Sequence, residues 1–274
     1  MSAIITLTTD FGQNDAYVAA MKGVILGINP DARLVDICHT IRPQNILEAA
    51  FILSTVYEFF PQRTIHLVVV DPGVGTERRA IILRTPVADF VAPDNGILSY
   101  IVQQYSIMST GTSTKPQTEP GPGLEAVAIT KPQFWRSPVS PTFHGRDIFA
   151  PVAARLSLGV PLADFGEVIN SVTVLPLPHP YRAPDSTLVG HIIHIDTFGN
   201  LITDIRSSDL PEITGSMTIE IGNHVISGLS NTYAEGEGLV ALIGSSGHLE
   251  IALAGGSACA LTGAETGSEL RIRQ

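Results

Sequence analysis

Cysteine and positive charge are both scarce in this chain of 274 residues. The two cysteines, Cys38 and Cys259, stand far apart, which leaves no cysteine metal spacing and makes each a buried thiol rather than half of a disulfide. Lys and Arg number 16 against 26 Asp and Glu, a net charge of −10. That balance excludes the basic face that nucleic-acid phosphates require, and it is compatible with a cationic substrate. No apolar run approaches the roughly 20 residues of a membrane span. Met1-Ser2-Ala3-Ile4-Ile5 has no basic region leading into a long apolar core, so no signal peptide is expected and the cytoplasm is the expected compartment. Also missing are a glycine-rich phosphate loop opening a helix after a strand, a Gly-x-Ser-x-Gly elbow, a calcium loop and a pair of helical histidines. No metal and no standard cofactor is expected.

What the chain has is apolar content, at 44%, arranged in alternating patterns. Ile4–Thr9 reads as a β-branched strand, Asp15–Leu26 has helical spacing, and Arg33–Ile37 reads as a strand. Asn45–Phe59 has helical spacing again, and Leu67–Val70 is aliphatic enough for a strand buried on both faces. Further strands are expected at Ala80–Arg84 and Phe90–Ala92, and helices at Ile97–Gln104 and Ile148–Leu158. Strands alternating with helices predict an α/β N-terminal domain with a largely parallel sheet over residues 1–171. Its Ser-, Thr-, Gly- and Pro-rich stretch 106–123 reads as a flexible insertion. Prolines 176, 178, 180 and 184 make 172–184 an extended connector. Beyond it, residues 185–274 carry short strands at intervals of about ten residues with no convincing helix, a smaller all-β domain of barrel or sandwich type.

Three strands of the first domain end on an acid: Asp10, Asp71 and Asp94. Open α/β sheets bind ligands at the carboxyl ends of their strands. Asp71-Pro72-Gly73 by itself is equally a capped turn, and Phe198-Gly199-Asn200 an ordinary one. Glu250 alternates with Leu249 and Ile251 and could face outward from its strand. Tyr233 could be simple packing, and the single histidines form no constellation.

Five stretches occur in order: Thr8–Gly12, Val70–Arg78, Ala92–Gly96, Thr142–Asp147 and Asp196–Asn200. Together they closely resemble the S-adenosyl-L-methionine hydroxide adenosyltransferases, the hydrolase branch of the fluorinase and chlorinase superfamily. The resemblance spans nearly the whole chain apart from the 106–123 insertion. It implies an α/β domain followed by a barrel-like one, a homotrimer with active sites between subunits, and cleavage of S-adenosylmethionine (SAM) by water at ribose C5′. The products would be adenosine and L-methionine, with SAM as substrate rather than cofactor.

The family's Asp–Arg–His set falls on Asp71, Arg78 and His144, and keeping both Arg78 and His144 points to water rather than halide as nucleophile. Asp10 matches the acceptor for the ribose hydroxyls. Asp196 matches the grip on the methionine amine and Asn200 the reader of the adenine edge, with a spacing one residue shorter than in the fluorinase. Phe11, Asn95, Phe198, Tyr233, Ser245 and Glu250 complete the implied substrate contacts. Arg79 and Arg146 compete with Arg78 for the cationic role, and Arg146 could instead pair with Asp147.

The chemistry of such a set can be stated. A sulfonium leaves without acid help, whereas water, with a pKa of about 15.7, is a poor nucleophile. His144 could act as general base, a contribution of about 10²–10⁴ in rate. Arg78 could hold developing hydroxide and favour a neutral His144, and Asp71 could orient Arg78, the water or a ribose hydroxyl. The alternatives are a SAM-dependent halogenase and a non-catalytic adenosine- or SAM-binding protein.

Overall fold

The computed structural model describes residues 2–106, 117–210, 217–236 and 238–273. Residues 107–116 of the expected insertion lie outside the described residues. The chain divides into two compact units, Met1–Leu177 and Pro178–Gln274.

The first unit is built from β1 (Ile4–Thr9), α1 (Tyr17–Ile28), β2 (Arg33–Cys38), α2 (Ile46–Ser54), β3 (Thr64–Val69), β4 (Ala80–Arg84), β5 (Ala88–Pro93), α3 (Ser99–Ser106), β6 (Gln117–Thr118), β7 (Glu125–Ile129), α4 (Ala150–Ser157), β8 (Gly166–Val168) and β9 (Val172–Thr173). Seven strands form one sheet in the order β2-β1-β3-β5-β4-β7-β8. The β2-β1-β3-β5 part is parallel, and β4, β7 and β8 continue it antiparallel. Side chains alternate across a strand, so Leu67 and Val69 of β3 join one core with α1 and α4, while Val68 and Val70 join another with α2. Both faces of the sheet are covered, which is why β3 reads as an unbroken aliphatic run.

The chain leaves β1 through α1 to reach β2 on one side, then crosses through α2 to β3 on the other. The crevice between the carboxyl ends of β1 and β3 is therefore the point where the winding reverses, the place where such sheets hold ligands. Asp10 follows β1 and Asp71 follows β3 by two residues.

Three differences from expectation have local causes. The helix expected to reach Phe59 stops at Ser54, because the Ser54 and Thr55 hydroxyls donate to the carbonyls of Phe51 and Ile52 (2.7 and 2.9 Å) and compete with helix continuation. A single 3₁₀ turn, Tyr57–Phe59, follows. The expected helix at 148–158 begins instead as a π-turn over Gly145–Phe149 and becomes α-helical at Ala150. Pro151 has no N–H to donate back along the turn, which favours the wider geometry. Finally, 172–177 is attached to this unit and is no free connector. Gln117–Thr118 pairs with Val172–Thr173, Thr173 donates its N–H to Asp94 (2.7 Å), and Leu175 donates to the Ser99 hydroxyl (2.8 Å).

The second unit contains β10 (Tyr181–Arg182), β11 (Leu188–Ile195), β12 (Leu201–Arg206), β13 (Thr218–Ile221), β14 (His224–Ser227), β15 (Leu239–Ile243), β16 (His248–Leu253), α5 (Ala258–Thr262) and β17 (Glu269–Arg273). It is an antiparallel, barrel-like sheet in the order β14-β13-β17-β11-β12-β16-β15, with β10 on β11. The sequence reading missed α5 and β17. The former is a one-turn helix capped by the Ser257 hydroxyl, too short to show a periodicity.

Candidate active site

A cavity of about 380 Å³ opens at the β1/β3 crevice of the first unit. Asp10, Phe11, Asp71 and His144 line it, together with Tyr17 and Gln44. Asp71 leaves β3 into a tight turn in which Val74 and Thr76 donate back to Asp71 and Gly73. Gly75 sits at φ +79°, and a Cβ there would lie 2.6 Å from the Pro141 carbonyl oxygen. Only glycine tolerates both the left-handed backbone and that approach. It brings the Asp71 turn against the segment that carries His144.

That segment is held by Asp147, whose carboxylate is fully buried and accepts from both ends of the Arg146 guanidinium (2.7 and 2.7 Å), from Arg136 (3.3 Å) and from the Ser140 N–H (2.8 Å). Arg146 is thus committed to Asp147. Arg79 is committed to Asp94, donating from Nε at 2.8 Å, so neither competes for the cavity.

Arg78 joins the remaining two groups from behind the cavity wall. Its Nε donates to Asp71 Oδ1 and Oδ2 (2.9 and 3.0 Å), its Nη2 donates to Asp71 Oδ2, and the same Nη2 donates to His144 Nδ1 at 2.9 Å. The guanidinium lies over the Phe149 ring, 5.1 Å from its centroid. The pair is largely buried, with side-chain exposures of 11% for Arg78 and 5% for Asp71.

A guanidinium has no lone pair to offer, so His144 Nδ1 must accept and the proton of the neutral ring must sit on Nε2. Burial first, and then the Arg78 charge, hold the imidazole pKa below its ordinary value, in keeping with a neutral ring. The general-base role expected for His144 would need the other tautomer, with Nδ1 released from Arg78. Its one basic nitrogen is already used, and what it can present to the cavity is an Nε2–H donor.

Asp10 Oδ2 accepts from the backbone N–H of Gln44 (2.8 Å), and Gln44 is held at φ +64°, uncommon for a residue with a side chain. Behind it Gly12 donates to the His39 carbonyl, and His39 Nδ1 meets the Thr9 hydroxyl at 2.9 Å. Asn95 is not in the cavity. Its amide donates to the Val70 carbonyl (2.9 Å) and its oxygen accepts from Ile97 N, so it braces the end of β3. Gln44 and Tyr17 were missed by the sequence reading. The usable signal was position: Pro43-Gln44-Asn45 joins β2 to α2 at the carboxyl edge of the sheet, and Tyr17 opens α1 on the same edge.

In the second unit Asp196 holds its own turn. Oδ1 accepts from the N–H groups of Phe198 and Asn200 (2.9 and 2.9 Å), and Oδ2 accepts from the Asn200 amide at 2.9 Å. Gly199, at φ +85°, packs against Ser257. Phe198 and Ser245 are exposed. Glu250 does not stand in solvent as its alternation allowed; it is 6% exposed, packed against Gly244. The Tyr233 hydroxyl donates to Glu250 Oε1 (2.9 Å). Burial raises the Glu250 pKa, opposed by that hydrogen bond and assisted by Asp196, and burial and Glu250 push the Tyr233 phenol up to about 12. Among the described residues no group of three His, Cys, Asp or Glu side chains is arranged to hold a metal ion. No helix among them is long and apolar enough to cross a membrane.

An α/β unit with a carboxylate–guanidinium–imidazole chain at its winding reversal, followed by an antiparallel barrel-like unit, defines a two-part enzyme-like architecture of a narrow kind. Residues 5–166 match the family model for the SAM hydroxide adenosyltransferase N-terminal domain, and residues 190–271 match that for the C-terminal domain. The chain belongs to the SAM hydroxide adenosyltransferase family. It is 36% identical over 269 residues to an (R)-S-adenosyl-L-methionine hydrolase of Salinispora tropica, covering 98% of this chain and 97% of that one. A fluorinase of Nocardia brasiliensis is 28% identical over 236 residues, 77% of this chain and 73% of that one. A crystal structure of an uncharacterized conserved protein from Thermotoga maritima superposes with a TM-score of 0.86 at 33% identity, covering 98% of this chain and all of that one.

Proposed function

We propose that this chain hydrolyses S-adenosyl-L-methionine at ribose C5′ to adenosine and L-methionine. The observation that carries the reading is the continuous Asp71–Arg78–His144 hydrogen-bonded chain at the cavity wall. The water oxygen bonds to C5′ as the C5′–S bond breaks. The bonding pair stays on sulfur, which becomes a neutral thioether, and one water proton passes to solvent.

Asp71 accepts a hydrogen bond from the attacking water and His144 donates to it through Nε2–H, which fixes the oxygen for in-line approach. Arg78 is a positioning residue. It neutralises Asp71, so that the carboxylate does not itself attack the sulfonium substrate, and it locks the His144 tautomer. Asp10 accepts from the ribose hydroxyls, and Phe11 packs beside it. Asn95 braces the turn that follows β3. In the second unit we assign the methionine amine to Asp196 and the adenine edge to Asn200, with Phe198, Tyr233, Ser245 and Glu250 around them. We further propose a cytoplasmic homotrimer that needs no cofactor, on the strength of the family resemblance; light scattering in solution tests the trimer.

The test of function is incubation with SAM, with and without chloride, followed by identification of the nucleoside. Adenosine in both arms supports hydrolysis. A 5′-chloro-5′-deoxyadenosine product would make the chain a halogenase, and adenosine binding without turnover would make it a binding protein.

A further inference from the structure

Three aromatic rings stand together on the cavity wall. Phe11 and Tyr17 are 5.6 Å apart between centroids, Phe11 and Phe143 5.7 Å, and Tyr17 and Phe143 5.2 Å. Phe143 is edge-on to both of the others, at interplanar angles of 80° and 88°. With Phe11 and Tyr17 tilted by 51° to each other, the three faces point in different directions, as in the aromatic cages that hold onium cations. One ring of the trio already serves a cation: the Arg146 guanidinium lies 5.1 Å from the Phe143 centroid. Tyr17 is half exposed, at 49%, and its ring belongs to the same cavity as Asp71 and His144.

We infer that Phe11, Tyr17 and Phe143 form a cation–π wall for the substrate's positive sulfonium, and that Tyr17 sets the preference for a sulfonium over a neutral thioether. The inference rests on the reading that SAM is the substrate. Its chemical logic lies in the reactivity of sulfonium, which alkylates nearby nucleophiles. A second free carboxylate would attract the charge and be at risk of attack, whereas an aromatic face attracts it with no nucleophilic lone pair to offer. Among the described residues, the carboxylates that line the cavity are Asp10 and Asp71, and Arg78 clamps the second. The attraction is strongest in the bound substrate and fades as the C5′–S bond breaks and sulfur becomes neutral. It therefore favours binding of substrate and release of the thioether product, and it stabilises the transition state no more than the bound substrate.

The experiment compares wild type, Tyr17→Leu and Tyr17→Phe, measuring kcat and KM for SAM and the inhibition constant of S-adenosylhomocysteine, the uncharged thioether analogue. Tyr17→Leu should raise KM by roughly 3- to 30-fold with kcat unchanged or higher, and leave the inhibition constant within about twofold. Tyr17→Phe, which keeps the ring, should keep the wild-type ratio of the SAM KM to the thioether inhibition constant within about threefold. Equal weakening of SAM and thioether, or a fall in kcat at constant KM, overturns the cation–π wall in favour of simple packing. A wild-type chain that releases no adenosine overturns the hydrolase reading instead. Calorimetric dissociation constants for SAM and S-adenosylhomocysteine on the same three proteins then still decide the wall.

Discussion

Replacing Arg78 with methionine removes a guanidinium that two neighbours depend on while keeping much of the side-chain volume. Asp71 loses every hydrogen bond it receives from Arg78, and with its side chain only 5% exposed it cannot recover them from bulk water. Breaking one partner of a buried ion pair costs about 3–5 kcal/mol, and the 11% exposure of Arg78 leaves little solvent screening to reduce that figure. His144 loses the donor that fixes its tautomer and the charge that keeps its pKa low, while Asp71 continues to pull that pKa up. Turnover should fall by about 10²–10³, the usual cost of a misplaced polar group at a reacting centre, and its acid limb should move to higher pH.

The double variant Asp71→Asn with Arg78→Met separates fold from chemistry. An uncharged amide no longer needs the guanidinium, so most of the lost stability should return, but turnover should not. Urea denaturation and chromatographic assay of adenosine read the two quantities. Restored turnover in the double variant, or an undiminished stability in the single one, would refute the argument.

Other expectations concern the same wall. A glutamine at position 144 offers an oxygen to Arg78 and an N–H to the cavity, so His144→Gln should retain at least about tenfold more kcat than His144→Ala; equal loss would restore the imidazole to the role of base. Because the His144 pKa is lowered, the neutral ring persists as pH falls through the ordinary value of about 6.5, and kcat/KM should decline only below it. A decline centred at or above that value in a pH–rate series would contradict the neutral-tautomer assignment. Gly75→Ala should cost more than about 1 kcal/mol and lower kcat, since a methyl group there meets the Pro141 carbonyl and drives the Asp71 turn away from His144; a crystal structure of the variant would show the separation directly.

The parts of the fold legible in the sequence were those that repeat a period. β1 and α1 announce themselves because each presents its apolar residues at a single spacing against one core, and β3 because its unbroken apolar run packs on both faces. What escaped detection depends on interactions that the apolar period does not record. The Ser54 and Thr55 hydroxyls end α2, and nothing in the apolar pattern marks them. Glu250 looked alternately exposed because alternation cannot report that its side chain packs against Gly244.

At the site, ordered motifs were enough to bring Asp71, Arg78 and His144 together. They did not say which atoms meet, and it is the Nη2–Nδ1 contact that leaves His144 an Nε2–H to present to the cavity. Nor did they say that the Asn95 amide bonds the Val70 carbonyl just past β3.

The Asp10–Gln44 contact has a bearing on how such a site can change. The carboxylate is steadied by a main-chain N–H, so substituting the side chain at position 44 leaves the support in place. Only proline would delete the donor, and its fixed φ is incompatible with +64° in any case. Glycine or asparagine would adopt that backbone with less strain than glutamine does. Position 44 therefore offers variation on the cavity-facing surface without a penalty at the Asp10 carboxylate. An alanine scan would score it as dispensable even though the residue's backbone is part of the machinery.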